Sequence, residues 1–231
     1  MAMTILRKEL KLIYGNKVFI LMKVFFSLVY CAVGFLTKVL YEELGSDPGI
    51  VFYFIFVYPL SLTLLMLNLY PIAQEITEQV NGGIENILAT GYSLKKLLMA
   101  KSLALFLPIY TPAALMLLII IGWSKYYLAG FLSLILLLPL LIGSIAVNYI
   151  SGILLTPNPG LLRSKISFSA VLVIFVLTYG PVLSYQVFGY SLDRAVSIVI
   201  AILLSLLAVF QAYRKINKIS IEEIIMGAVY S

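Results

Sequence analysis

The stretches "LMLLIIIGW" (115–123) and "LSLILLLPLLIG" (132–143) are apolar on every side, and a helix of that kind cannot face water. They belong to blocks running Val18 to Leu40, Ile50 to Ile72, Leu97 to Gly122, Tyr126 to Leu155, Ile166 to Phe188 and Leu192 to Tyr213. Each is close to the roughly 17 to 25 residues that carry a helix across a ~30 Å hydrocarbon core. The whole chain agrees, being 62% hydrophobic and 11% charged, where soluble domains hold roughly 45–50% apolar and about 25% charged residues. A membrane β-barrel requires segments of about 10 residues alternating in polarity, and these blocks do not alternate. The expected fold is all-α: one polytopic membrane domain over 1–231 with six spans.

Basic residues orient the spans. With the N-terminus inside, the cytoplasmic side holds Arg7, Lys8, Lys11, Lys17, Lys95, Lys96, Lys101, Arg163, Lys165, Arg214, Lys215 and Lys218, and the outer side only Lys38, Lys125 and Arg194. Lys23, one turn inside the first span, snorkels back to the inner interface. Both termini are therefore expected in the cytoplasm, with 214–231 a cytoplasmic tail. The net charge of +6 is spread among helix ends, which fits anionic lipid contact and not nucleic acid. The first span begins late, carries Lys23 and Lys38, and has no small-residue cleavage site before Glu42, so it reads as a span and not a removable signal.

Much chemistry is excluded by composition. The chain has no histidine, which removes Ser-His hydrolysis, His-ligated haem and imidazole metal sites as properties of this chain alone. Its single Cys31 forms neither an internal disulfide nor a cluster. No G-x-x-x-x-G-K-[ST] phosphate loop occurs, so ATP, if used, is bound by another polypeptide. No catalytic, cofactor or metal site is expected, and the chain is not read as an enzyme. No acid lies deep in any span, which disfavours an ion-coupled secondary carrier. That carrier and a non-transporting membrane scaffold are the alternative readings. Asn68 and Asn148 either line a path or bond helix to helix, the commoner task.

Before the first span, "MTILRKELKLIYGNK" places Ile5, Leu6, Leu10 and Ile13 on one helical face and Arg7, Lys8, Lys11 and Glu9 on most of the rest. Residues 1–16 are expected to form an interfacial amphipathic helix. Pro108 and Pro112 are expected to kink the third span, and Gly180 with Pro181 to interrupt the fifth, as a kink or a partly re-entrant passage. Trp123, Tyr126 and Tyr127 suit an aromatic belt at the headgroup level.

Between the second and third spans lies a polar island, "TEQVNGGIENILATGYSLKK", within the cytoplasmic segment 73–94. Asn81, Gly82 and Gly83 break the helical extension of span two. Ile84, Ile87 and Leu88 then recur at helical spacing as one apolar stripe, with Glu85 off it. Gly91 ends this short helix, and Ser93 is placed to cap the next. Two helical turns are not stable alone, so the stripe needs a groove in the bilayer or on a partner.

This segment resembles the signature of the permease subunits of type-2 ATP-binding cassette (ABC) exporters, E-x-x-x-G-T-L-E-x-L-L-x-T-P-x-S-x-x-x-x-x-x-K. Glu78 stands for the leading acid, Gly82 for the glycine, Ile84 and Glu85 for L-E, Ile87 and Leu88 for the leucine pair, Thr90 for the threonine, Ser93 for the serine and Lys101, one residue beyond the pattern's spacing, for the distal lysine. Gly83 and Gly91 replace the usual threonine and proline. The resemblance implies a coupling helix made by Glu78, Gly82, Gly83, Ile84, Glu85, Ile87 and Leu88 that docks on a separate ATPase subunit carrying ATP and Mg. It implies a second permease copy, as homodimer or paralogue heterodimer, in a prokaryotic cytoplasmic membrane. It also makes Tyr58, Asn68, Gly180, Pro181 and Tyr185 candidates for lining a substrate pathway.

Overall fold

The structure, a computed structural model, describes residues 2–43, 48–60, 93–155 and 193–219, with Thr63, Gly91, Phe168, Val171, Leu172 and Phe175 as isolated positions. The described residues contain no strand. In chain order the helices are α1 (Ala2–Gly15), α2 (Lys17–Glu43), α3 (Pro48–Phe56), α4 (Leu94–Trp123), α5 (Tyr127–Leu132), a π-helical segment (Ser133–Leu137), α6 (Leu138–Leu155) and α7 (Arg194–Lys218). Four are long and apolar enough to span a membrane: Lys17–Glu43, Leu94–Trp123, Tyr127–Leu154 and Arg194–Lys218. These correspond to the first, third, fourth and sixth expected spans. About half of the second, from Ile50 to Leu60 with Thr63, and only four positions of the fifth lie within the described residues.

Helix α1 forms as its amphipathic pattern requires. Ile13 is buried, Ile5, Leu6 and Leu10 pack against the core, and Arg7, Lys8 and Lys11 face outward. Glu9 departs from the expected pattern, because it is buried on the packed side. Asn16 separates α1 from α2, its Oδ1 accepting the backbone N–H groups of Val18 (3.0 Å) and Phe19 (3.3 Å). That is the N-cap arrangement, satisfying two donors that a helix start leaves open. Lys23 reaches back as its position demands: its Nζ donates to the Tyr14 hydroxyl at 3.1 Å and lies 5.0 Å from that ring's centre.

Helix α4 is the central post. Of its most apolar window 56% is buried, against 17% for α2, 33% for Tyr127–Leu154 and 22% for α7. It runs as one helix through Pro108 and Pro112, so the third span is not interrupted. Against it α2 packs closely at Gly34, where an added Cβ would sit 3.1 Å from Ile119 Cβ and 3.2 Å from the Met116 carbonyl oxygen. Trp123 closes the same contact, its Nε1 donating to the Gly34 carbonyl at 3.2 Å and its ring lying 5.7 Å from Tyr41. Trp123 thus turns inward, while Tyr127 stays exposed as a belt residue does. Exposed Val18, Leu21, Leu28 and Phe35 on α2 present the surface that lipid covers.

Two prolines open backbone carbonyls, and hydroxyls from other helices close them. Pro59 has no N–H for the carbonyl of Ile55, four residues back. There α3 gives way to a turn at Val57 before helical geometry resumes through Leu60. Ser133 Oγ donates to that Ile55 oxygen at 2.8 Å, buried between the elements. In the π segment the ladder runs from the Leu138 N–H to the Ser133 oxygen. The next rung needs a donor at Pro139, which has none. The Tyr110 hydroxyl of α4 supplies it, donating to the Leu134 oxygen at 3.0 Å. Inside a bilayer no water fills such gaps, so these bonds hold α3, α4 and the π segment in one register.

Candidate functional site

The coupling residues Glu78, Gly82, Gly83, Ile84, Glu85, Ile87 and Leu88 lie outside the described residues, as do the pathway candidates Asn68, Gly180, Pro181 and Tyr185. Two neighbourhoods that border them are described: the foot of α4, where the chain returns from the polar island, and the surroundings of Tyr58.

At the foot of α4, Gly91 has φ 75°, the left-handed conformation that glycine adopts without steric cost. Ser93 stands at the N-cap with extended backbone, φ −68° and ψ 125°, but its side chain makes no capping bond. Leu94, Leu97 and Leu98 are buried in the core, and Lys95 and Lys96 are exposed. Lys101, placed by the motif at the distal lysine, is 1% exposed, and its Nζ lies 3.1 Å from Oε1 of Glu9, itself 4% exposed. The contact is ionic but off hydrogen-bond geometry, for Glu9 Oε1 has no hydrogen-bond donor.

This ion pair fastens α1 onto α4 at the end from which the island emerges. Sequence reasoning assigned both charges to the aqueous side and missed their union. The available signal was Lys101 itself, a cation inside "LLMAKSLALF", with Glu9 the sole acid on α1. A buried charge without a partner is too costly to keep.

Tyr58 is half-buried, and its ring lies 4.7 Å from Phe54 at a tilt of 41°. Tyr30 on α2 is fully buried, and its hydroxyl has no hydrogen-bond partner among the described residues.

A second polar node joins α6 to α7. Asn148 Nδ2 donates to the Ala208 carbonyl at 2.9 Å, the helix-to-helix bond expected of such a residue. Lys215 Nζ donates to the Asn148 carbonyl at 3.0 Å, and Asn148 Oδ1 is buried without a partner. At the opposite end, Arg194 lies over Phe52 (5.9 Å) and Tyr126 (5.7 Å), whose rings meet edge to face at 5.0 Å. Among the described residues no group of three or more His, Cys, Asp or Glu is placed to hold a metal ion. Comparisons with protein-family models, curated proteins and solved structures find no match for the chain.

Proposed function

We propose that this chain is the membrane-spanning permease subunit of an ABC exporter, working as a dimer and driven by a separate ATPase subunit. The observation that carries the reading is the run from Glu78 to Lys101: a glycine break, an apolar stripe at Ile84, Ile87 and Leu88, and a distal lysine. The surroundings of Lys101 support it. A coupling helix transmits force only if the span it leads into is held firmly, and Lys101 is ion-paired to α1 above a foot of buried leucines. The all-helical, multi-pass architecture is compatible with a permease. In this mechanism the permease makes and breaks no covalent bond. ATP binding and hydrolysis on the partner shift two paired permeases between inward-closed and outward-open arrangements. Tyr58 is assigned to the pathway.

The test is expression with the cognate ATPase, followed by separate measurement of copurification, ATP hydrolysis and transport. Leu88→Asp puts an unpaired charge into a desolvated contact, at a cost on the order of several kcal/mol, and should dissociate the complex. Glu85→Ala removes a rim contact of about 1 kcal/mol and should spare assembly while lowering transport per ATP. The purified chain alone should not hydrolyse ATP. If Leu88→Asp leaves all three readouts unchanged, the stripe does not meet an ATPase and the permease reading is abandoned.

A further inference from the structure

A cleft of about 470 Å³ opens between α4, α6 and α7, a size within the roughly 300–1,000 Å³ of small-molecule sites. Met99, Ser102 and Phe106 line it from α4, Gly143 and Val147 from α6, and Tyr213 from α7. Its wall is almost wholly apolar, and among the described lining residues none is acidic. Its polar lining residues are Ser102, which is 5% exposed with its Oγ buried and without a hydrogen-bond partner among the described residues, Ser144, whose Oγ donates to the Leu140 carbonyl at 2.7 Å, and Tyr213. Lys95 and Lys96 precede Met99 by one helical turn and so prolong the lining face of α4 to the mouth of the cleft. Both are exposed, and neither is ion-paired among the described residues.

We propose that this cleft binds one anionic phospholipid from the leaflet on the α1 side. An acyl chain fills the apolar wall, and Lys95 and Lys96 meet the phosphate and the charged headgroup. The oil of the cleft does not select this ligand, because an acyl chain leaving the bilayer for the cleft exchanges one apolar setting for another. Selection comes from the lysines, because basic residues next to a span attract anionic lipid. A second copy of the chain fits less well, since a two-fold contact over this face sets each pair of lysines against its equivalent. The proposal does not depend on the permease reading.

The experiment is native mass spectrometry of the full-length protein in detergent, titrated with phosphatidylglycerol or with phosphatidylcholine of the same acyl chains. The wild type should retain phosphatidylglycerol about tenfold or more over phosphatidylcholine, as two basic residues at a membrane surface imply. The double variant Lys95→Gln/Lys96→Gln should bring that ratio close to one. Gly143→Phe should abolish retention of both lipids. Gly143 lines the cleft and a Cβ there meets nothing within 4 Å, so the cleft is the open space beside the new side chain.

Equal retention of the two lipids by the wild type overturns the proposal. Unchanged phosphatidylglycerol retention in Gly143→Phe does so as well. A fall from dimer to monomer mass in Gly143→Phe with lipid retention unaffected overturns it in favour of a second copy. Should Gly143→Phe not fold, the wild-type ratio and the lysine double variant decide the matter.

Discussion

Lys101 and Glu9 are the two charges whose placement most sharply constrains the molecule. Each is almost fully buried, and each makes the other tolerable. Removing one partner of a buried pair typically costs about 3–5 kcal/mol, because the other is left uncompensated. Here α1 has an escape: it can undock and carry Glu9 to water, so the loss is capped at the docking energy of α1. Lys101→Met should therefore release α1, seen as faster amide hydrogen exchange over residues 2–15 with little change in α4. Glu9→Leu combined with Lys101→Met should restore most of the protection, since an apolar pair of similar volume often matches a buried ion pair. Exchange unchanged in the single variant would show that the pair does not hold α1. Of this pair the sequence showed the cation as an oddity inside an apolar run, but not its partner. Helical periodicity reports which residues share a face and is silent on which faces meet.

At the scale of elements, prolines and hydroxyls work in pairs. The Ile55 carbonyl loses its donor to Pro59 and gains Ser133, and Leu134 loses its donor to Pro139 and gains Tyr110. Side-chain hydrogen bonds between membrane helices are worth about 0.6 kcal/mol on average, with a maximum near 1.7. Ser133→Ala should lie toward the upper end, because it strands a carbonyl where no water can reach. The pairing is tested by a double-mutant cycle. Pro59→Ala restores the local donor, so Ser133→Ala should cost about 1 kcal/mol less in that background when unfolding is measured in detergent micelles. Equal costs in both backgrounds would mean that the serine and the proline are unrelated. Packing supplies a companion case. Gly34→Leu should destabilise by about 1–3 kcal/mol as overpacking, since even its Cβ meets Ile119 and the Met116 carbonyl at 3.1–3.2 Å. Melting that matches the wild type would show that α2 and α4 can separate there without loss. The prolines were plain in the sequence, and Pro108 and Pro112 were expected to kink the third span. Helix α4 is continuous through both, while α3 ends at Phe56 with a turn at Val57.

For the whole molecule the prediction is orientation, drawn from the asymmetry of lysine and arginine. In a Cys31→Ala background, a cysteine at Asp47 should react with an impermeant thiol reagent applied to intact cells. A cysteine at Lys95 should react only after the membrane is opened. The reverse pattern would invert the topology, and labelling of both in intact cells would indicate two orientations. The sequence by itself determined that this is an all-helical chain with spans long enough for a membrane, roughly where α2, α4, the run from α5 through α6, and α7 lie, and that α1 is amphipathic. These follow from local rules, the length that crosses a bilayer and the 3.6-residue period. Only the tertiary structure decided that α4 stands at the centre, that Glu9 turns inward to Lys101, and that a cleft remains beside Ser102. The physical reason is the solvent. In water, hydrophobicity marks the side of a helix that faces its neighbours, but lipid tails are as apolar as leucine. An all-apolar span therefore carries no sign of which face meets protein and which meets lipid, and that choice falls to side-chain shape and to scattered polar groups far apart in sequence.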